Sequence, residues 1–200
     1  MIPLVEDYLS ELIQSKTLFL KSNPDHIKNV ISTSAARLDR LAAYLQANNI
    51  RVIKGYPRTP AELPCVCILL SGEDESQISL GDYEDFDDPE QVAAEEHVEV
   101  LYECNYRLEA WSSNGDMTVD LYHIVKWALL SGRGFLDSKG LFRQKLGGAD
   151  FEPATSYFPE FVYRRALTFW CQTIASVPVG DIPYITGVEV SQTIEIDTEE

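Results

Sequence analysis

The chain has 200 residues, of which 45% are hydrophobic, with 32 acidic against 16 basic side chains and a formal net charge of −16. A single domain of that length buries a sizeable core without disulfide or metal staples. The charge balance excludes a protein that grips DNA phosphates or an anionic membrane surface, and no stretch approaches the roughly eighteen apolar residues of a membrane span.

Leu4 to Leu20 predicts a helix, because Leu4, Tyr8, Leu9, Leu12 and Ile13 recur at helical spacing behind Pro3. Glu6, Asp7 and Glu11 interrupt its apolar residues and no basic start precedes them. It does not read as a secretory signal, and the chain is expected in the cytoplasm where it is made. Asn23-Pro24-Asp25 marks a break. Ile27, Val30, Ile31, Leu38, Leu41, Ala42 and Leu45 then predict a second helix ending near Asn48-Asn49. The helical part thus covers residues 4–48.

Ile50 to Tyr56 reads as a strand. Cys65 to Leu70 is a short apolar run bounded by Pro64 and Gly72, as in a strand covered on both faces. From Gly72 to Val100 the chain holds twelve acidic residues and no Lys or Arg. Its Gly, Pro, Ser and Asp residues break any period, so 72–97 is expected to be an acidic loop insertion with short strand pieces around Ile78 to Leu80. A metal site, a solvated loop and a surface facing another anion all fit that composition. Asp82 to Asp88 places oxygen ligands at alternate positions, but the glycine and the final glutamate of an EF-hand loop are missing.

The clearest strand begins at Val98. Val98, Val100, Tyr102, Cys104, Tyr106, Leu108 and Ala110 form an apolar face. Glu99, Leu101, Glu103, Asn105, Arg107, Glu109 and Trp111 form the other. At roughly 3.3 Å per residue such a strand is on the order of 45 Å long, more than a small domain needs, so part of it is expected to project and find a partner. A helix capped at Asp116 or Thr118 follows, with a stripe of Leu121, Ile124, Val125, Ala128 and Leu129, and ends at Gly132 and Gly134. Leu141 to Leu146 is a strand that meets a turn or bulge at Gly147-Gly148. Phe161 to Ile174 is a second long strand, and Tyr184 to Ile196 the last, before a frayed tail. The order predicts an α+β fold: a mostly antiparallel β-sheet with helices packed on one face and a long projecting β-hairpin, in a single domain spanning 1–200.

Little chemistry is visible. Cys65, Cys67, Cys104 and Cys171 lie in strand-like apolar runs and are expected to be buried thiols. His26, His97 and His123 are scattered. No nucleophile elbow, zinc-protease, Walker or dinucleotide pattern is present. No enzyme and no cofactor are expected.

The stretch YHIVKWALLSGRGFLDSKGLF, Tyr122 to Phe142, is followed by GGADFEPATSYFPEFVYRRALTFWCQ, Gly147 to Gln172. Together they resemble the C-terminal part of a bacteriophage tail terminator or neck (head–tail connector) protein. An amphipathic helix leads into a Gly-bounded loop. A strand then carries Asp150, Glu152 and Pro153, and an aromatic strand carries Arg164-Arg165-Ala166-Leu167-Thr168. The resemblance implies a small α+β structural protein of the virion that assembles from the host cytoplasm as a homo-oligomeric ring, commonly a hexamer. It implies the tail tube, the head connector or neck proteins and the sheath as partners, with DNA passing through unbound and no membrane. A tail-completion or sheath-contacting neck protein, and more remotely a calcium-binding module, are the alternatives.

The residues agree on where copies would meet. Leu101 and Trp111 give the second strand face an apolar character that wants cover. Arg107, Arg164 and Arg165 are candidates to pair across subunits with Glu99, Glu103 or Glu152. An acidic lining would repel phosphates and let DNA slide.

Overall fold

The computed structural model describes residues 2–76, 97–153 and 162–178. The expected last strand, the tail and most of the acidic stretch lie outside these residues. Helix α1 runs Val5–Ser22, a 3-10 helix Pro24–Asn29 and helix α2 Ala35–Ala47. Strand β1 is Arg51–Lys54 and β2 Cys65–Glu75. Strand β3 is His97–Ser112, followed by helices α3, Gly115–Ser131, and α4, Arg133–Ser138, then β4, Phe142–Pro153, and β5, Tyr163–Pro178.

These strands form a five-stranded sheet in the order β1-β2-β3-β5-β4. Only the β1–β2 pair is parallel. The fold is therefore α+β with a mostly antiparallel sheet, and its spine is the β3–β5 ladder, in register from His97–Pro178 to Ser112–Tyr163.

Helix α1 forms because Val5, Leu9, Leu12, Ile13 and Leu20 fall on one stripe, with Glu6 and Asp7 at the positive end of its dipole and Lys21 at the negative end. Leu4, counted with that stripe from its spacing, precedes the helix and is exposed. Val5, Leu9, Leu12 and Ile13 pack with Leu121, Val125 and Leu129 of α3 onto Val66, Ile68, Cys104, Tyr106, Leu108, Leu167 and Phe169 of the sheet, while Leu20 packs with Ile27, Leu41, Leu45 and Ile124. The strand face predicted to be apolar is the one under the helices. Beyond Tyr102 and Cys171 the ladder continues from Leu101–Ile174 to His97–Pro178, outside that core among the described residues.

The structure corrects several local expectations. The second helix does not start at Ile27. Pro24 opens a 3-10 helix, and Ser32-Thr33-Ser34 separates it from α2, where Ser34 is the extended N-cap residue. Hydroxyl side chains compete for the backbone and favour such junctions over helix interiors. Arg37 of α2 then ties to α3, with its Nη2 donating to Asp120 Oδ1 at 2.8 Å. The cap of α3 is neither Asp116 nor Thr118 but Asn114, whose Oδ1 accepts from the backbone N–H of Asp116 at 2.9 Å and of Met117 at 3.3 Å. Gly132 does end α3, as expected, but Gly134 lies inside a second helix, α4, that follows at once. Strand β2 runs past Leu70 to Glu75 through a bulge at Ser71, so the acidic stretch begins as paired strand. Strand β4 likewise runs through Gly147 and Gly148, which pair in regular register with Thr168 and Leu167; the irregularities lie to either side, between Phe142 and Lys145 and between Gly148 and Phe151, so the expected turn or bulge is not at the glycines themselves.

All four cysteines are free and buried. No helix of the described residues is long and apolar enough to cross a membrane.

Candidate assembly surface

Alternation along β3 and β5 sends two sets of side chains to the sheet face opposite the helices. From β3 come Leu101, Glu103, Arg107, Glu109 and Trp111; their Cα partners on β5 include Gln172, Thr168, Ala166 and Arg164. At one end of this face Trp111 is fully buried and packs with Cys65, Cys67 and Val162, backed by Ile53, Leu63 and Leu69. This is a second, smaller core, and it answers the expectation that CVCILL is covered on both faces: Val66 and Ile68 point to the helices, Cys65 and Cys67 away.

The centre of this end is a carboxylate. Glu109 is 0% exposed. Its Oε2 accepts from the Trp111 indole N–H at 2.9 Å. Its Oε1 lies 2.7 Å from Arg107 Nε and 3.8 Å from Arg164 Nη1. The shorter contact is an ion pair by distance, with an angle outside hydrogen-bond geometry, and Oε1 has no hydrogen-bond donor. The Arg164 guanidinium also sits 6.0 Å from the centre of the Trp111 ring. One buried negative charge thus anchors two arginines that still reach the surface. The hydrogen-bonded Cys65 thiol, and then burial, hold the neighbouring Cys67 thiol well above the usual cysteine range, so it stays protonated.

The predicted interface residues divide between the two faces. Arg107 and Arg164 converge on Glu109, on their own chain. Trp111 and Leu101 are buried, and Glu103 accepts from Gln172 Nε2 at 2.8 Å. Glu152 is the Cα partner of Arg164 on β4. Arg165 faces the opposite way: its guanidinium stacks 4.3 Å from the centre of the Tyr122 ring on α3. There its charge, after burial, pushes His123 below the ordinary histidine range. Arg164 and Arg165, adjacent in sequence and read as one group, are on different sides of the sheet. Glu109 was not singled out. Its signal was the i, i+2 spacing of Arg107, Glu109 and Trp111, which puts cation, anion and indole on one strand face.

Among the described residues, no group of three or more His, Cys, Asp or Glu is placed to hold a metal ion. A cleft of about 510 Å³ opens elsewhere, where the start of α1 meets β1 and β2, lined by Leu4, Glu6, Asp7, Lys54, Leu69 and Leu70 among others. Lys54 and Asp7 form an ion pair across it.

Comparison with known proteins bears on the whole chain. The model of a family described as phage termination proteins matches residues 1–105 and, in an overlapping second segment, residues 90–196. No curated protein matches. Among solved structures, the chain is similar to the sheath/tube terminator of an extracellular contractile injection system (PVC) in its extended state. The identity is 16% and the TM-score 0.42, covering 84% of this chain and 65% of that one. The chain therefore spans less than two thirds of that terminator's length.

Proposed function

Because the chain belongs to the phage termination protein family, we propose that it is a structural protein that ends the tail tube as a closed homo-oligomeric ring, a hexamer, and offers the docking surface for the head connector. The family match across both halves of the chain carries this reading. The sequence resemblance to tail terminators rests on the helix, Gly-bounded loop and aromatic strand that became α3, α4 and β5.

Physical features support a ring. The β3–β5 ladder runs on past the helix-packed core; Leu101, Thr173 and Ala175 of that stretch are buried, but Glu99 is exposed there for a neighbouring copy to meet. Arg107 and Arg164, whose side chains are 40% and 24% exposed, reach outward from their shared carboxylate. They are proposed to meet Glu103 or Glu152 of the next subunit, while Trp111 and Arg165 brace the frame from inside. The net charge of −16 favours a ring through which duplex DNA slides unbound, because adhesion requires cations to displace counterions from phosphate.

The test is co-assembly with the tail-tube protein of the same phage. Tubes polymerised with this chain present should be shorter and capped at one end in electron micrographs, and should leave added duplex DNA unbound at low salt. Tubes of the same length distribution with and without the chain would refute the terminating role.

A further inference from the structure

The two ends of α1 carry surfaces of opposite character. At its start, Ile2, Leu4 and Leu70 are 67%, 62% and 48% exposed, and Leu4 and Leu70 line the 510 Å³ cleft. Glu6 and Asp7 lie in the same wall, the latter paired with Lys54. The end of α1 is also apolar, with Leu18 60% and Phe19 42% exposed, and Leu130 of α3 adds 45% exposure. There the ionic character reverses. Lys16 sits 5.3 Å from the centre of the Trp127 ring, and His26 lies between Phe19 and Trp127, 5.1 and 5.9 Å from their centres. Lys28 and Lys126 stand exposed nearby in sequence, with Asp25 the neighbouring acid.

An exposed apolar surface with aromatic anchors and a charged rim is the anatomy of a protein interface. With Asp7 paired to Lys54, Glu6 leaves the apolar cleft net negative, whereas Lys16 makes the aromatic knob positive, so the two are complementary in sign. The 18-residue helix α1 is about 27 Å long, so its two ends cannot meet within one chain. We infer that the knob at the end of α1 in one copy docks into the cleft at the start of α1 in the next copy. The contact is heterologous: each subunit gives one surface and receives the other, which is the kind of interface that closes a ring. This inference rests on the ring reading and names a contact within it.

Cysteine cross-linking tests it. The native cysteines are all buried, so under native oxidation only engineered exposed thiols react. The double variant Leu4→Cys, Leu18→Cys should give a ladder of covalent multimers on non-reducing gels. Each single variant should give no cross-link, and Lys16→Glu should suppress the ladder at least several-fold. Three outcomes overturn the contact. Dimers of either single variant would mean like surfaces meet. A ring by native mass that yields no ladder and tolerates Lys16→Glu would leave the ring standing and place its seams elsewhere. A chain that never self-associates, alone or on tube, would remove both the contact and the ring.

Discussion

Replacing Glu109 by Ala should lower the unfolding free energy by about 3 kcal/mol, a large share of a domain's stability. The carboxylate is completely buried, and it serves the Trp111 indole and two arginines at once. Its removal strands an indole donor inside the smaller core and leaves Arg107 and Arg164 facing each other without the charge between them. Deleting one partner of a buried pair typically costs about 3–5 kcal/mol; the arginines' access to water puts this case at the lower end. Glu109→Gln keeps an acceptor for Trp111 but not the charge, and should fall between. Urea unfolding followed by tryptophan fluorescence would read the change, since Trp111 is the reporter nearest the site. An Ala variant within about 0.5 kcal/mol of the parent, the range of ordinary surface substitutions, would mean that the cluster does not hold this end of the sheet.

Gly132→Val should also destabilise, by about 2–3 kcal/mol, through overpacking. A Cβ at this position would lie 2.4 Å and 2.5 Å from the two methyls of Leu12 and 2.8 Å from the Ala128 carbonyl oxygen. Leu12 is itself buried in the main core, so its methyls have little room to retreat. At Gly132 the end of α3 thus lies directly against Leu12 of α1, and the role of this residue is the absent side chain. The milder Gly132→Ala change should cost less in a Leu12→Ala background than alone, though not nothing, because the Ala128 carbonyl remains. Thermal melts of the four proteins in that cycle give the coupling. Strictly additive losses would show that Leu12 is not what Gly132 makes room for.

Both sites mark the limit of what the residues reveal in order. The β3 alternation was legible because a half-buried strand writes its burial directly into a period of two. The apolar set Cys104, Tyr106, Leu108 and Ala110 does lie under the helices. Helix α1 was legible for equally local reasons. The junction at Ser32-Thr33-Ser34 was not, because Ile27, Val30 and Ile31 keep a helical spacing through a 3-10 segment. The Asn114 cap was obscured by two other residues with capping side chains just beyond it. Gly132 was legible as the stop of α3, because glycine punctuates helices, but its near contact, Leu12, is 120 positions away in sequence and was not. Glu109 was hidden for a related reason. A glutamate on a strand reads as solvated, and only the fold brings Arg164 of β5 to the carboxylate that Arg107 and Trp111 share. Arg164 and Arg165, both named as interface candidates, lie on opposite sides of the sheet, as successive strand residues do.

The basic and acidic ends of α1 add what composition alone conceals. In a chain with a net charge of −16, Lys16 still sits over the Trp127 ring, and the exposed Lys28 and Lys126 are close in sequence to that aromatic cluster. Solvation by itself gives no reason to combine that charge with exposed Leu18, Phe19 and Leu130, whereas a seam between copies does.

The most direct measurement is the native mass of the purified protein, alone and after incubation with tail-tube protein. A closed ring predicts one discrete assembly at six times the 22.6 kDa chain, formed in solution or on the tube end, with no open-ended series above it. A single 22.6 kDa species under both conditions would contradict the account.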